Sequence, residues 1–136
     1  MKIYLDAHGI LPHRAHDTDA GLDIYCPGDY TIAPGMTVVI DSGVHIELPE
    51  LTVGLVKSRS SMFRAGIISD GTIDEGHSGS IEVMLYNSSP ISYTVHKGDR
   101  IAQLVILPIM RPALEVQDKP LTGHGRGSGG FGSTGR

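Results

Sequence analysis

Tryptophan is absent from the 136 residues, and phenylalanine occurs only twice, so a core built here has to be aliphatic and largely β-branched. Cys26 is the only cysteine, which excludes a disulfide within the chain. Cationic excess is missing as well. With 11 basic and 15 acidic residues the net charge is −4, and no broad basic surface exists to hold a nucleic-acid backbone or anionic lipid. Neither a nucleic acid nor a membrane is expected as partner. No segment keeps apolar residues at i, i+3, i+4 and i+7 for three turns, and residues 59–66 allow at most a short helix. The start Met1-Lys2-Ile3-Tyr4-Leu5-Asp6 lacks the apolar run of a signal peptide, so a soluble, cytoplasmic protein is expected.

What the chain does have is punctuation: 18 glycines and 8 prolines interrupt it every few residues. Val44-His45-Ile46-Glu47-Leu48 alternates apolar and polar residues before Pro49, the pattern of a half-buried strand. Short runs at 36–40, 53–56, 81–86 and 101–106 are similar, each bounded by Gly, Pro, Asp, Asn or Ser. The class is all-β, a sandwich or barrel, in one domain. A small aliphatic core in a loop-rich chain is marginal alone, and oligomerisation would relieve that. From Thr122 onward the composition turns to Gly, Ser and Arg without an apolar face. Residues 1–121 therefore read as the core and residues 122–136 as a flexible arm, either a solvated terminus or a lid over a nucleotide. Arg126 and Phe131 favour the lid, since a guanidinium grips phosphate and an aromatic ring covers a base.

Four further clusters carry polar residues that a plain β-sandwich does not need. In Asp19-Ala20-Gly21-Leu22-Asp23-Ile24, Gly21 lets the chain turn and Asp23 enters a strand; a turn acid without chemical duty reads equally well. Lys57-Ser58-Arg59-Ser60-Ser61-Met62 presents hydroxyls and a guanidinium at a strand end, which suits phosphate oxygens or a serine N-cap. Gly71-Thr72-Ile73-Asp74-Glu75-Gly76-His77-Ser78-Gly79 reads as a hairpin whose backbone faces a ligand. Partial burial of Asp74 beside Ile73 would aim its carboxylate at one water. In Gly98-Asp99-Arg100-Ile101-Ala102-Gln103-Leu104 a turn feeds a strand, and the Gln103 amide needs partners among apolar neighbours.

Together, in this order, the five clusters resemble the five motifs of the trimeric dUTP pyrophosphatase family, from about Asp19 to Gly135. The run Arg126-Gly127-Ser128-Gly129-Gly130-Phe131-Gly132-Ser133-Thr134-Gly135 is similar to the fifth motif throughout. The resemblance implies a distorted jelly-roll subunit in a homotrimer whose active sites are each built from three chains. It implies hydrolysis of dUTP to dUMP and pyrophosphate, with Asp74 as general base and Mg2+ held by the triphosphate. Such an activity keeps uracil out of DNA and supplies dUMP for thymidylate synthesis. Arg59, Ser60, Ser61 and Gln103 then meet the phosphates, and Gly71, Thr72 and Ile73 receive uracil and deoxyribose with Glu82 on the following strand. Phe131 stacks on the base, Arg126, Gly132, Ser133 and Thr134 close over the γ-phosphate, and Asp23 reaches the metal through water.

Two departures from the family pattern stand out. His77 occupies the place of a tyrosine that packs under deoxyribose, which implies weaker rejection of UTP. The stretch between Arg59 and Asp74 is also shorter than usual. Two other readings stay open: a dCTP deaminase or bifunctional enzyme, with Glu82 aimed at cytosine, and a nucleotide-sensing or regulator-binding module without turnover.

Overall fold

The computed structural model describes residues 1–123. Ten strands and one short helix follow the punctuation of the sequence. They are β1 (Lys2–Leu5), β2 (Gly21–Tyr25), β3 (Tyr30–Ile32), β4 (Thr37–Glu47), β5 (Thr52–Lys57), α1 (Ser60–Arg64), β6 (Ile67–Ile68), β7 (Asp70–Ile73), β8 (Ser80–Asn87), β9 (Tyr93–Val95) and β10 (Arg100–Pro108). One four-stranded sheet has the order β1-β4-β8-β6, a second β2-β10-β5-β7, and β3-β9 forms a two-stranded ribbon. All pairings are antiparallel. Non-consecutive neighbours throughout give the distorted jelly roll expected of the chain.

The core is aliphatic, as the shortage of aromatic residues requires. Ile24, Ile32, Ile40, Val44, Ile67, Val83, Leu85, Ile101 and Leu104 are buried in one cluster drawn from all three sheets. β8 shows why the alternation matters: Ile81, Val83 and Leu85 face inward while Glu82, Met84 and Tyr86 face out. Asn87 is fully buried at the end of that strand. Its amide donates to the carbonyls of Ile32 and Ile91 at 2.9 and 2.7 Å, and its oxygen accepts from the Ser89 N–H and hydroxyl. Every polar atom of that side chain thus has a partner, which removes the penalty of burying it.

The runs expected at 36–40 and 44–48 are one strand, β4, broken only by a bulge. Between Asp41 and His45 the register against β8 shifts, Gly43 takes φ +66°, and its N–H donates to Asp41 Oδ1 at 3.0 Å. Short strands at β1, β3, β6 and β9 carried too few residues to show a period. The segment 71–79 is not a hairpin. β7 pairs with β5 and β8 pairs with β4 and β6, so the chain changes sheets at this corner. Ile73 and Ile81 on either side of it are both buried, and the corner between them is mostly exposed. Among the described residues no helix is long and apolar enough to cross a membrane.

Candidate active site

Strand register assembles the first polar cluster. Across the second sheet Asp23 of β2 stands opposite Gln103 of β10, which stands opposite Lys57 of β5, which stands opposite Asp70 of β7. Residues directly opposite share a face. Just past Lys57 the chain enters α1, bringing Arg59, Ser60 and Ser61 to the same end. Asp19, Gly21, Asp23, Arg59, Ser60, Ser61 and Gln103 consequently line one cavity of about 350 Å³. Asp23 is largely buried there and takes Arg59 Nε at 2.8 Å and Arg100 Nη1 at 3.3 Å. The Arg59 fork is therefore held in place before any anion arrives. Gln103 donates from Nε2 to the Ser58 carbonyl at 3.2 Å. Lys57 is paired with Asp70.

Two local expectations need correction. Gly21 does not make a turn; it begins β2, and a Cβ there would lie 2.6 Å from Gln103 Oε1. Its function is to leave room for that amide. The helix cap is Arg59, with no side-chain cap bond, so neither Ser60 nor Ser61 serves as an N-cap. Their hydroxyls remain available to the cavity.

A second cavity, of about 590 Å³, opens at the corner where β7 and β8 part. Gly71, Thr72, Ile73, Asp74, His77 and Glu82 line it together with Asp41, Val56, Gly79, Ser80, Ile81 and Met84. The corner is closed by a turn in which the His77 N–H donates to the Asp74 carbonyl at 3.0 Å. Ile73 is buried, but Asp74 is exposed in the single chain, against the expectation of partial burial. Ile73 supplies the anchor, and among the described residues nothing covers the carboxylate. His77 lies exposed with Nε2 3.4 Å from the Ser80 carbonyl.

Sequence reasoning missed two residues here. Glu75 accepts from the Leu51 N–H at 2.9 Å and pairs with Arg111, tying the corner to segments far away in the chain. Asp41 enters the cavity because β4 sets it opposite Glu82. Its carboxyl is held below the ordinary value of 3.8 by the Ser80 hydroxyl first and by the Gly43 N–H second. The serine acts by proximity rather than through a well-formed bond, and its buried oxygen has no other partner. Neither residue had a local signal, since each depends on pairing between distant strands or loops. Next to them His45 bridges the Ser78 carbonyl at 2.9 Å and Asp6 Oδ2 at 3.0 Å. Those two acceptors, the carbonyl foremost, raise its pKa above 6.5. Arg126, Phe131, Gly132, Ser133 and Thr134 lie outside the described residues.

With the two cavities defined, comparison decides the family: a model of the dUTPase family matches residues 7–135. The chain belongs to the dUTPase family. Among curated relatives, the deoxyuridine 5'-triphosphate nucleotidohydrolase of Clostridium tetani is 42% identical over 130 residues, covering 93% of this chain and 89% of that one. The Mycobacterium tuberculosis enzyme of the same name is 42% identical over 142 aligned positions, covering 98% and 92%. In three dimensions, the Staphylococcus bacteriophage 80alpha dUTPase solved with dUpNHpp matches with a TM-score of 0.93 at 30% identity, covering 99% of this chain and 98% of that chain. A mutant dUTPase from phage phi11 of S. aureus, whose structure concerns a structural Mg(II) ion, matches with a TM-score of 0.81 at 27% identity, covering 87% and 96%. The jelly roll and its order of strands are thus those of the dUTPases.

Proposed function

We propose that this dUTPase-family chain hydrolyses dUTP to dUMP and pyrophosphate by attack of water on the α-phosphorus. The observation that carries the reading is the pair of cavities. One offers the guanidinium, hydroxyl and amide donors that a triphosphate needs, and the other a carboxylate beside a strand backbone able to read a base edge. Asp74 takes a proton from the attacking water. Arg59, Ser60, Ser61 and Gln103 hold the phosphate oxygens, with Arg59 oriented by Asp23. Gly71, Thr72 and Ile73 receive uracil and deoxyribose, and His77 lies under the sugar. In the arm, Phe131 stacks on uracil while Arg126, Gly132, Ser133 and Thr134 cover the γ-phosphate and exclude water.

The donor set fits Mg2+ through the nucleotide rather than through the protein. Both Asp23 oxygens are engaged by guanidinium groups, so this carboxylate meets the ion only through water. When bound, Mg2+ neutralises charge on the triphosphate and its leaving group. A homotrimer with shared sites is supported by surfaces that one chain leaves open. Val39, Met84 and Tyr86 are exposed side by side on β4 and β8. Beyond β10, Met110, Leu114, Val116 and Leu121 are between 84% and 96% exposed, too much apolar surface for a segment meant to stand in water. The phosphate donors and Asp74 line separate cavities of one chain, an arrangement that accords with a site taking each half from a different subunit.

Pyrophosphate release from dUTP, UTP, dTTP and dCTP, with and without Mg2+, tests the reading. Mg2+-dependent release confined largely to dUTP supports it, and no release from dUTP overturns it. Because Glu82 lines the cavity that holds Asp74, ammonia release from dCTP is measured in parallel. Its appearance would establish the deaminase reading.

A further inference from the structure

Asp6 and His8, just past the end of β1, meet Asp41 of β4 at the rim of the larger cavity. One ligand atom from each lies within 4.8 Å of the other two. The approach is built by the β4 bulge. The Asp6 N–H donates to the Gly43 carbonyl at 2.8 Å, and Cβ atoms at Gly9 and Gly43 would collide with the facing loop at 2.3 and 2.8 Å. The second of those collisions is with His8 Nε2, so the imidazole lies directly over the bulge.

Each carboxylate is held from behind. Asp41 Oδ1 takes the Gly43 N–H, while its Oδ2 lies 3.9 Å from His8 Nε2. Asp6 is oriented by His45, itself fixed on the Ser78 carbonyl. Such outer partners are what fix ligands in protein metal sites. Charge points the same way. Asp41 stands directly opposite Glu82, a costly arrangement for two acids. Among the described residues, Asp6 and Asp41 have imidazoles as their only ion-pair partners, with no lysine or arginine. Side chains of His8 and Asp41 are about half exposed, 48% and 55%, which gives an ion a way in.

We propose that Asp6, His8 and Asp41 form a binding site for a first-row divalent cation of the Zn2+ class, separate from the Mg2+ that accompanies the nucleotide. An imidazole beside two carboxylates favours Zn2+ or Co2+ over Mg2+, which prefers oxygen ligands and retains its water. Three protein ligands leave a position for water, and Asp41 sets that ion at the edge of the cavity containing Asp74.

The test uses the full chain without an affinity tag, stripped with chelator and titrated with Co2+ in saturating Mg2+. Binding of one Co2+ per chain, visible in its d–d absorption and displaced by Zn2+, is expected. His8→Ala and Asp41→Asn should remove that band. His45→Gln should weaken binding by about 10–100-fold, as loss of an outer partner does. Thermal unfolding gives a second readout, with Zn2+ raising the midpoint of the wild type and not of His8→Ala. Absence of Co2+ binding in the wild type overturns the proposal. So does equal binding by wild type and His8→Ala, which would place the ion on other histidines.

Discussion

At the scale of single residues, the proposed chemistry rests on side chains that do little for the fold. Asp74 is exposed, and among the described residues its carboxylate has no hydrogen-bond partner. Asp74→Asn should therefore leave stability and nucleotide affinity near those of the wild type. Turnover should fall by roughly two decades or more, the usual range for losing a general base. Single-turnover kinetics with dUTP, alongside binding of a non-hydrolysable analogue, separates the two effects. Gly21→Ala tests the phosphate cluster differently. Its methyl would arrive 2.6 Å from Gln103 Oε1, the end of a flexible side chain that can move aside. The protein should fold, with Gln103 displaced from the Ser58 carbonyl. A raised KM or lowered kcat for dUTP is the expected result, and unchanged kinetics would mean that the amide does not reach the phosphates. That role was hidden in the sequence, where glycine beside an acid reads as a turn. The close approach is to a residue 82 positions away in the chain, which no local pattern reveals.

At the scale of elements, the legible parts were those where alternation ran long enough to show a period. β5, β8 and β10 coincide with apolar runs bounded by turn residues, and β4 was visible as two halves separated by its bulge. The corner at 71–79 was misread because glycines flanking a turn suggest a hairpin, whereas pairing partners are chosen by free strand edges elsewhere. The carboxylate, hydroxyls, guanidinium and amide of the candidate site were visible as residue types in motifs. Their division between two cavities, and the contributions of Glu75 and Asp41, depend on register between distant strands and were not. Burial shows the same limit at Asn87, a polar residue at a strand end that reads as a turn former but ties β8 to β3 and the following loop. Asn87→Ala should strand those carbonyls and destabilise the chain by about 1–3 kcal/mol. Denaturant unfolding would register the loss as a lower midpoint.

At the scale of the whole molecule, the exposed apolar residues of β4, β8 and the segment after β10 call for neighbours. Light scattering should give about three times the 14.5 kDa chain mass. A fully active monomer would contradict the shared-site arrangement. Removing residues 123–136 should leave the threefold assembly intact, at three times the mass of the shortened chain, because the segment offers almost no apolar surface to bury. Turnover should collapse, since Arg126 and Phe131 go together.

Two cavities without a common lining residue also have a genetic consequence. A chain disabled at Asp74 and another disabled at Gln103 would carry lesions in different halves of the proposed site. Co-expressed, they should assemble into mixed trimers if the proposed homotrimer holds, and some sites would then take each half from the sound donor. Two inactive alleles should then complement each other, restoring roughly a quarter of wild-type activity if chains mix at random around the ring. A single chain carrying both lesions, mixed with wild type, should instead cost more than its share of subunits, because it spoils its own half of one site and the other half of a neighbouring site, and activity should fall roughly as the square of the wild-type fraction.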